Sequence, residues 1–342
     1  MHLILYIFSF NGGTEVKQII KNIISCGIVM VLTVGLIIWL GRIVRPLNTD
    51  VAVKAIETFH EIPDNTMEVI GYGSSHMWRG LNTMEMYDKY GIGAYNYGCN
   101  WQHINTTLLF LEDSLRTQSP KVILIETYLV NELLKDININ GEIYYTREIS
   151  NFDGKQKYLN QCFGKDMERY LSYYMPLCAF HDNWINIEQG SFMENSYDVD
   201  FFSTMGYWYF DEVTPIEIDE SMTMVNEELS DEALTILNNI IKICNEKDIE
   251  IIFYTAPFSG VYKYGNAMEK FAKENNCKYF NMFEMMDEVG IDCNTDFMDT
   301  DHLNNNGAIK VADFLGEYIV NNYQISDMRE VSGNIWEEMK SR

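Results

Sequence analysis

"MEVIGYGSSHMWRG", residues 67 to 80, decides how the rest of the chain is read. "MEVIGYG" has the makings of a buried strand, the glycines break it, and two adjacent serines open a polar turn into a helix. Those serines have two possible uses. One of them caps the helix beginning near His76, or one of them is a nucleophile set at the strand's end.

A serine hydroxyl attacks well only when a histidine takes its proton, and that histidine needs an acceptor on its other ring nitrogen. Histidines stand at 2, 60, 76, 103, 181 and 302, and only His302 has an aspartate three residues before it, in "DTDHLNNNGA". Asp299 and His302 thus form a D-x-x-H step ahead of a helix, although Asp299 or Asp301 could equally cap that helix. His76 and His103 read as polar neighbours of the site, because no carboxylate or histidine cluster with metal-ligand spacing accompanies them.

Outward from this turn the chain alternates. "AYNYG" (94–98) and "KVILIETYLV" (121–130) read as strands, and "INTTLLFLEDSLRTQ" (104–118) as a helix with Leu108, Leu111 and Leu115 on one face. The rhythm resumes where Ser230 can N-cap a helix turning Leu234, Leu237 and Ile241 inward, before the strand "IEIIFYTAP". "CKYFNM" is a shorter strand and "NNNGAIKVADFLGEYIVNNY" the closing helix. Strand alternating with helix predicts an α/β domain around a parallel sheet. Ligand sites in such sheets gather at the carboxyl ends of the strands, where both "GYGSSH" and "DTDH" are expected to emerge.

The interval 136–224 breaks the rhythm. Rich in aromatic residues, as in "FFSTMGYWYF" (201–210), it reads either as an insertion over the sheet's edge or top that forms a lid or acceptor cleft, or as irregular helices completing the core. Aromatic faces stack on sugar rings, so Trp208 and its tyrosine neighbours are expected to line a cleft over Ser75.

With these segments in view, the chain resembles the SGNH (GDSL-like) hydrolases and acyltransferases. The first block of that family, a strand followed by G-D-S, matches Gly73-Ser74-Ser75, with Ser74 where the aspartate usually stands. The last block, D-x-x-H, matches Asp299 and His302. The resemblance implies a flavodoxin-like three-layer α/β fold, Ser75 as nucleophile, His302 as general base and then acid, Asp299 as its orienting partner, and no metal or other cofactor. It also implies oxyanion donors from the backbone N–H of Ser75 and of Gly98 in "YNYGCN". The asparagine of the family's G-x-N-D block is missing: after "VILI" comes Glu126-Thr127-Tyr128, so Tyr128 or Asn100 is left as the third donor. Ser74, His76 and Trp208 are expected to contact substrate.

Between Ile23 and Leu40 runs "IISCGIVMVLTVGLIIWL", without a charged residue. It would span roughly 27 Å as a helix, close to the thickness of a hydrocarbon core. "GRIVRP" follows it in place of a small-residue cleavage site, so it reads as an uncleaved anchor. The expected divisions are therefore an N-terminal segment (1–22), a transmembrane helix (23–40), a linker with a helical lead-in (41–64), the α/β domain (65–325) and a C-terminal tail (326–342). The opening "MHLILYIFSFNGG" is too short to span. Lys17 and Lys21 before the anchor balance Arg42 and Arg45 after it, so charge does not orient it.

The 342 residues carry a net charge of −25 and are 47% hydrophobic, enough apolar content for one large domain. The acidity argues against binding to nucleic acid or to anionic lipid surfaces. Seven cysteines form no C-x-x-C pair, which removes zinc knuckles and thioredoxin-like motifs, and they read as buried single thiols. Anchored members of the family imply a cell-membrane protein with its domain outside the cytoplasm. They also imply an acylated glycan or cell-envelope polymer as substrate and a membrane-bound O-acyltransferase as partner. The alternative is a catalytically silent scaffold of the same fold.

Overall fold

A computed structural model describes residues 14–135, 142–193, 199–218 and 226–340. Its centre is a five-stranded, all-parallel sheet in the order β2-β1-β3-β4-β5. The strands are β1 (Val69–Tyr72), β2 (Ala94–Asn96), β3 (Val122–Glu126), β4 (Glu250–Thr255) and β5 (Lys278–Asn281), each within a segment whose apolar run predicts it. The chain steps from β1 to one side for β2 and to the other for β3, which makes the β1/β3 border the switch point of the sheet.

Around the sheet lie α1 (Thr14–Ile43), α2 (Asp50–Glu61), α3 (Ser75–Gly80), α4 (Thr83–Tyr90), α5 (Ile104–Ser114), α6 (Phe152–Phe163), α7 (Met167–Tyr174), α8 (Pro176–Phe180), α9 (Asp231–Glu246), α10 (Gly265–Glu274), α11 (Met286–Val289), α12 (Asn305–Asn322) and α13 (Ile335–Lys340). Side chains alternate across the strands to make two cores. Ile70, Ile123, Ile125, Ile251 and Phe253 face one layer with α2, α5, α9 and α10. Val69, Val122, Leu124, Ile252 and Tyr254 face the other with α3, α4 and α12. Period-two alternation with both faces covered is why the strands read as continuous apolar runs.

The edges of the domain differ from the sequence reading. The segment expected as a linker and helical lead-in holds the helix α2, and Val51, Ala52, Ala55, Ile56 and Phe59 on it are buried in the first core. Ile43 and Val44 are buried too, so the domain begins before position 48. The expected tail is likewise structural: Trp336 is fully buried and its indole N–H donates to the carbonyl of Ala94 on edge strand β2. The opening stretch 1–13 and both limits of the expected insertion lie outside the described residues.

Within the insertion, Tyr144, Tyr145, Tyr158, Phe163 and Tyr173 join the first core, as irregular helices completing it would. The later part runs along β2, where Asn96 donates its N–H to the carbonyl of Met205. Gly206 is required there, with φ +84° and a Cβ position only 2.2 Å from the Asn96 carbonyl oxygen.

Helix α1 is long and apolar enough to cross a membrane, with its central surface exposed. All seven cysteines are free thiols; Cys99, Cys162 and Cys244 are buried, Cys26 and Cys178 exposed.

Candidate active site

The register of β1 against β3 pairs Tyr72 with Ile125, so Gly73 emerges beside Glu126. A Cβ at Gly73 would sit 2.7 Å from Cβ of Glu126, at φ +154°, which only glycine accommodates. The turn is pinned by Gln102, whose Oε1 accepts the Gly73 N–H at 2.8 Å while its amide donates to the Tyr97 carbonyl at 3.0 Å.

The structure places the two serines differently. Ser74 is the N-cap of α3, accepting the His76 N–H, and its hydroxyl lies 3.1 Å from a carboxyl oxygen of Glu126. Ser75, first residue of the helix, is left free to face outward, and its hydroxyl donates to Nε2 of His302 at 2.8 Å. Asn96 fastens the other end of α3, donating to the carbonyls of Met77 at 2.8 Å and Leu81 at 3.0 Å.

On the facing loop, Asp299 Oδ1 lies 2.9 Å from His302 Nδ1 and also accepts the backbone N–H groups of Asp301 and His302, each at 2.8 Å. The closing helix α12 is capped by Asn304, not by Asp299 or Asp301. Thus an aspartate, a histidine and a serine stand in one hydrogen-bonded line, with the Nδ1 proton given to Asp299 and the Nε2 lone pair turned to Ser75.

Burial, and then the nearby Arg79 guanidinium, press the His302 pKa below the ordinary histidine value, against the pull of Asp299. For Asp299 burial alone would raise the carboxyl, but the hydrogen bonds from Asp301 and His302 outweigh it and hold it below the usual carboxylate range. The line is therefore set with a neutral imidazole beside an ionised carboxylate, the arrangement a general base needs.

Arg79 escapes the sequence reading, though it stands four residues after Ser75 and so on the same face of α3. Its guanidinium lies over the adjacent rings of Trp208 (4.8 Å) and Phe210 (4.9 Å) and reaches within 3.3 Å of His302 Nδ1. Because that nitrogen's proton is committed to Asp299, we take this approach as a charge contact and not a hydrogen bond.

Trp208 accordingly does not line a cleft over Ser75; it holds Arg79 and packs on Trp78 at 4.6 Å. Phe201 and Tyr207 of the same stretch are buried. The cavity above Ser75, about 220 Å³, is bounded by Arg79, Asn100, Trp101, Tyr128 and His302 among others, and the aromatic at its rim is Trp101, 47% exposed. His76 borders the same cavity, stacked on Tyr128 at 3.9 Å. Burial first, then His302 and Arg79, hold it neutral.

One expected oxyanion donor is spent inside the fold, whereas the Tyr128 side chain, expected in place of the asparagine, borders the cavity. The Gly98 N–H goes to Oδ1 of Asn96 at 3.1 Å, and the Tyr128 N–H to Glu126 at 2.8 Å. Ser75, as the first helical residue, has an N–H with no intrahelical acceptor, and Asn100 lines the cavity. Glu126, fully buried beneath Ser74, has its carboxyl pushed up by desolvation to about 8 despite the hydrogen bonds from Tyr128 and Ser74.

No family model matches this chain, and no curated protein matches it. Among solved structures it is similar to a protein from Bacteroides fragilis described as a candidate acylhydrolase, at 10% identity over 79% of this chain and 96% of that one, with a TM-score of 0.39. So distant a likeness does not carry a function across.

Proposed function

We propose that the chain is a membrane-anchored serine esterase or O-acyltransferase of the SGNH-like kind, acting on acyl esters of cell-envelope polysaccharide outside the cytoplasm. The observation that supports it best is the 2.8 Å contact between the Ser75 hydroxyl and His302 Nε2, with Asp299 on the other ring nitrogen.

In this reading the Ser75 oxygen bonds to the ester carbonyl carbon as its proton passes to His302. The oxyanion that forms takes hydrogen bonds from the Ser75 N–H and the Asn100 side chain. His302 then gives the proton to the departing alkoxide, leaving an acyl-Ser75. Water or a sugar hydroxyl, deprotonated by His302, completes the reaction. Preorganised donors of this kind are each worth roughly 3 kcal/mol in the transition state, and Asn100 replaces the spent Gly98.

Trp101 takes the role expected of Trp208, as a platform for a sugar ring beside Ser75. A transferase gains from holding its acceptor and keeping out water. Hydrolysis of p-nitrophenyl acetate should therefore be slow and acyl transfer should rise when a glycan acceptor is added. A fast hydrolysis that acceptor leaves unchanged would favour a plain esterase instead.

The silent-scaffold reading has one observation of its own: the Gly98 N–H, the family's second oxyanion donor, is committed to Asn96. A fluorophosphonate probe separates the two, since it labels an activated serine and spares a capping one.

The anchor reading rests on α1, whose exposed Ile23, Ile28, Val31, Leu32 and Ile38 would be costly to leave in water. Full-length protein is expected to stay with membranes through an alkaline carbonate wash. Release into the supernatant would contradict it.

A further inference from the structure

At the foot of α1 a cleft of about 610 Å³ opens between that helix and the segment around α8. Val34, Ile37, Ile38, Gly41, Arg42 and Arg45 line one side, and their spacing of three and four places them on one helix face. Gly41 lets the two helices meet, since a Cβ there would lie 3.3 Å from the Leu177 backbone nitrogen. Across the cleft stand Arg147, Glu148 and Tyr174. The α1 side is thus apolar above Gly41 and continuous with the exposed surface of that helix, and Arg42, Arg147 and Glu148 make the lower end polar, with Met175 and Pro176 also lining the cleft.

The arginines are not equivalent. Arg45 is consumed by the fold, paired with Asp50 at 2.7 Å and donating to the carbonyls of Ser191 and Met193. Arg42 and Arg147 are exposed and have no side-chain partner among the described residues. With Glu148 set against them, the cleft keeps one net positive charge, in a chain whose total is −25.

We propose that this cleft binds one anionic glycerophospholipid, its phosphodiester between Arg42 and Arg147 and an acyl chain along Val34, Ile37 and Ile38. A phosphodiester carries one negative charge, which matches the cleft, and Ile38 lies about 6 Å above Arg42 along the helix, the order in which chain and headgroup follow one another. The acidic remainder of the protein repels anionic lipid elsewhere, which confines the preference to this place. The proposal rests on reading α1 as a membrane span.

Native mass spectrometry of the full-length protein in detergent, titrated with phosphatidylglycerol or phosphatidylcholine of identical acyl chains, tests it. Phosphatidylglycerol should bind more tightly, and Arg42→Gln and Arg147→Gln should each weaken it about fivefold while phosphatidylcholine binding is unchanged. Lys17→Gln with Lys21→Gln, at the other end of α1, should alter neither, and excess inorganic phosphate should not displace the lipid. Equal binding of the two lipids, a preference that survives both arginine changes, one lost with the lysines, or displacement by phosphate would overturn the proposal. Release of the protein by carbonate would remove the span and this proposal together, whereas firm membrane retention without a lipid preference overturns this proposal alone.

Discussion

Replacing Ser75 with alanine is expected to lower acyl-ester turnover by about four orders of magnitude or more and to abolish fluorophosphonate labelling, with little change in stability. The hydroxyl it removes is part-buried and serves no cap or core contact, because Ser74 accepts the His76 N–H and meets Glu126. Ser74→Ala should show the opposite pattern, losing about 1 kcal/mol of stability with its cap and keeping most of the activity. Asp299→Asn should cost about 10⁴-fold: an amide facing Nδ1 moves the imidazole proton to Nε2, where it blocks acceptance from Ser75. Since His302 loses its proton more readily than an ordinary histidine, the acid limb of the rate profile should lie below the usual histidine value. A Ser75→Ala protein as active as the parent, or indistinguishable from Ser74→Ala, would end the enzymatic reading.

What the sequence showed of this arrangement follows from how local each signal is. A buried parallel strand is an unbroken apolar run, so "MEVIGYG", "KVILIETYLV" and "IEIIFYTAP" mark β1, β3 and β4 directly. The D-x-x-H step is local as well, because Asp299 reaches His302 across one turn of chain. Contacts between distant segments leave no such trace. Nothing in "FFSTMGYWYF" distinguishes an indole that faces a sugar from one that clamps Arg79, because that depends on β2 drawing Met205 and Gly206 along its edge. The Gly98 N–H could not be placed either: the Asn96 side chain that takes it stands two residues away and is also fastening α3. Trp336 carries no local sign of its burial, because its partner, the Ala94 carbonyl, lies 242 residues earlier.

Glu126→Gln is expected to stabilise the protein at alkaline pH and to leave turnover at pH 7 nearly unchanged. Glu126 is the buried carboxyl between the turn that carries Ser75 and the Tyr128 N–H, and its pKa rises from 4.5 to about 8 because burial penalises its charged form. The folded state therefore holds a proton that the unfolded chain has already released between those values. Stability from this group is fully present below about 4.5, declines as pH rises toward 8, and is flat beyond. Ionising the carboxyl in place costs on the order of 5 kcal/mol at the upper end of that window, a large share of a domain's typical stability. Glutamine copies the protonated form, with its oxygen accepting the Tyr128 N–H and its amide donating to the Ser74 hydroxyl, and it never ionises. Denaturant melts of the full-length protein in detergent should coincide for parent and variant at pH 4 and separate by on the order of 3–5 kcal/mol in the variant's favour at pH 9. Glu126→Ala should lie about 3 kcal/mol below Glu126→Gln at every pH, through the cavity and the unpaired Tyr128 N–H it leaves. Were Glu126→Gln to destabilise at pH 9, the carboxylate would be acting as an ion that this site prefers. The hydrogen bond that the Ser74 hydroxyl donates to Glu126 would then hold that charge, and the turn that carries Ser75 would be organised by a buried negative charge and not by a neutral acid.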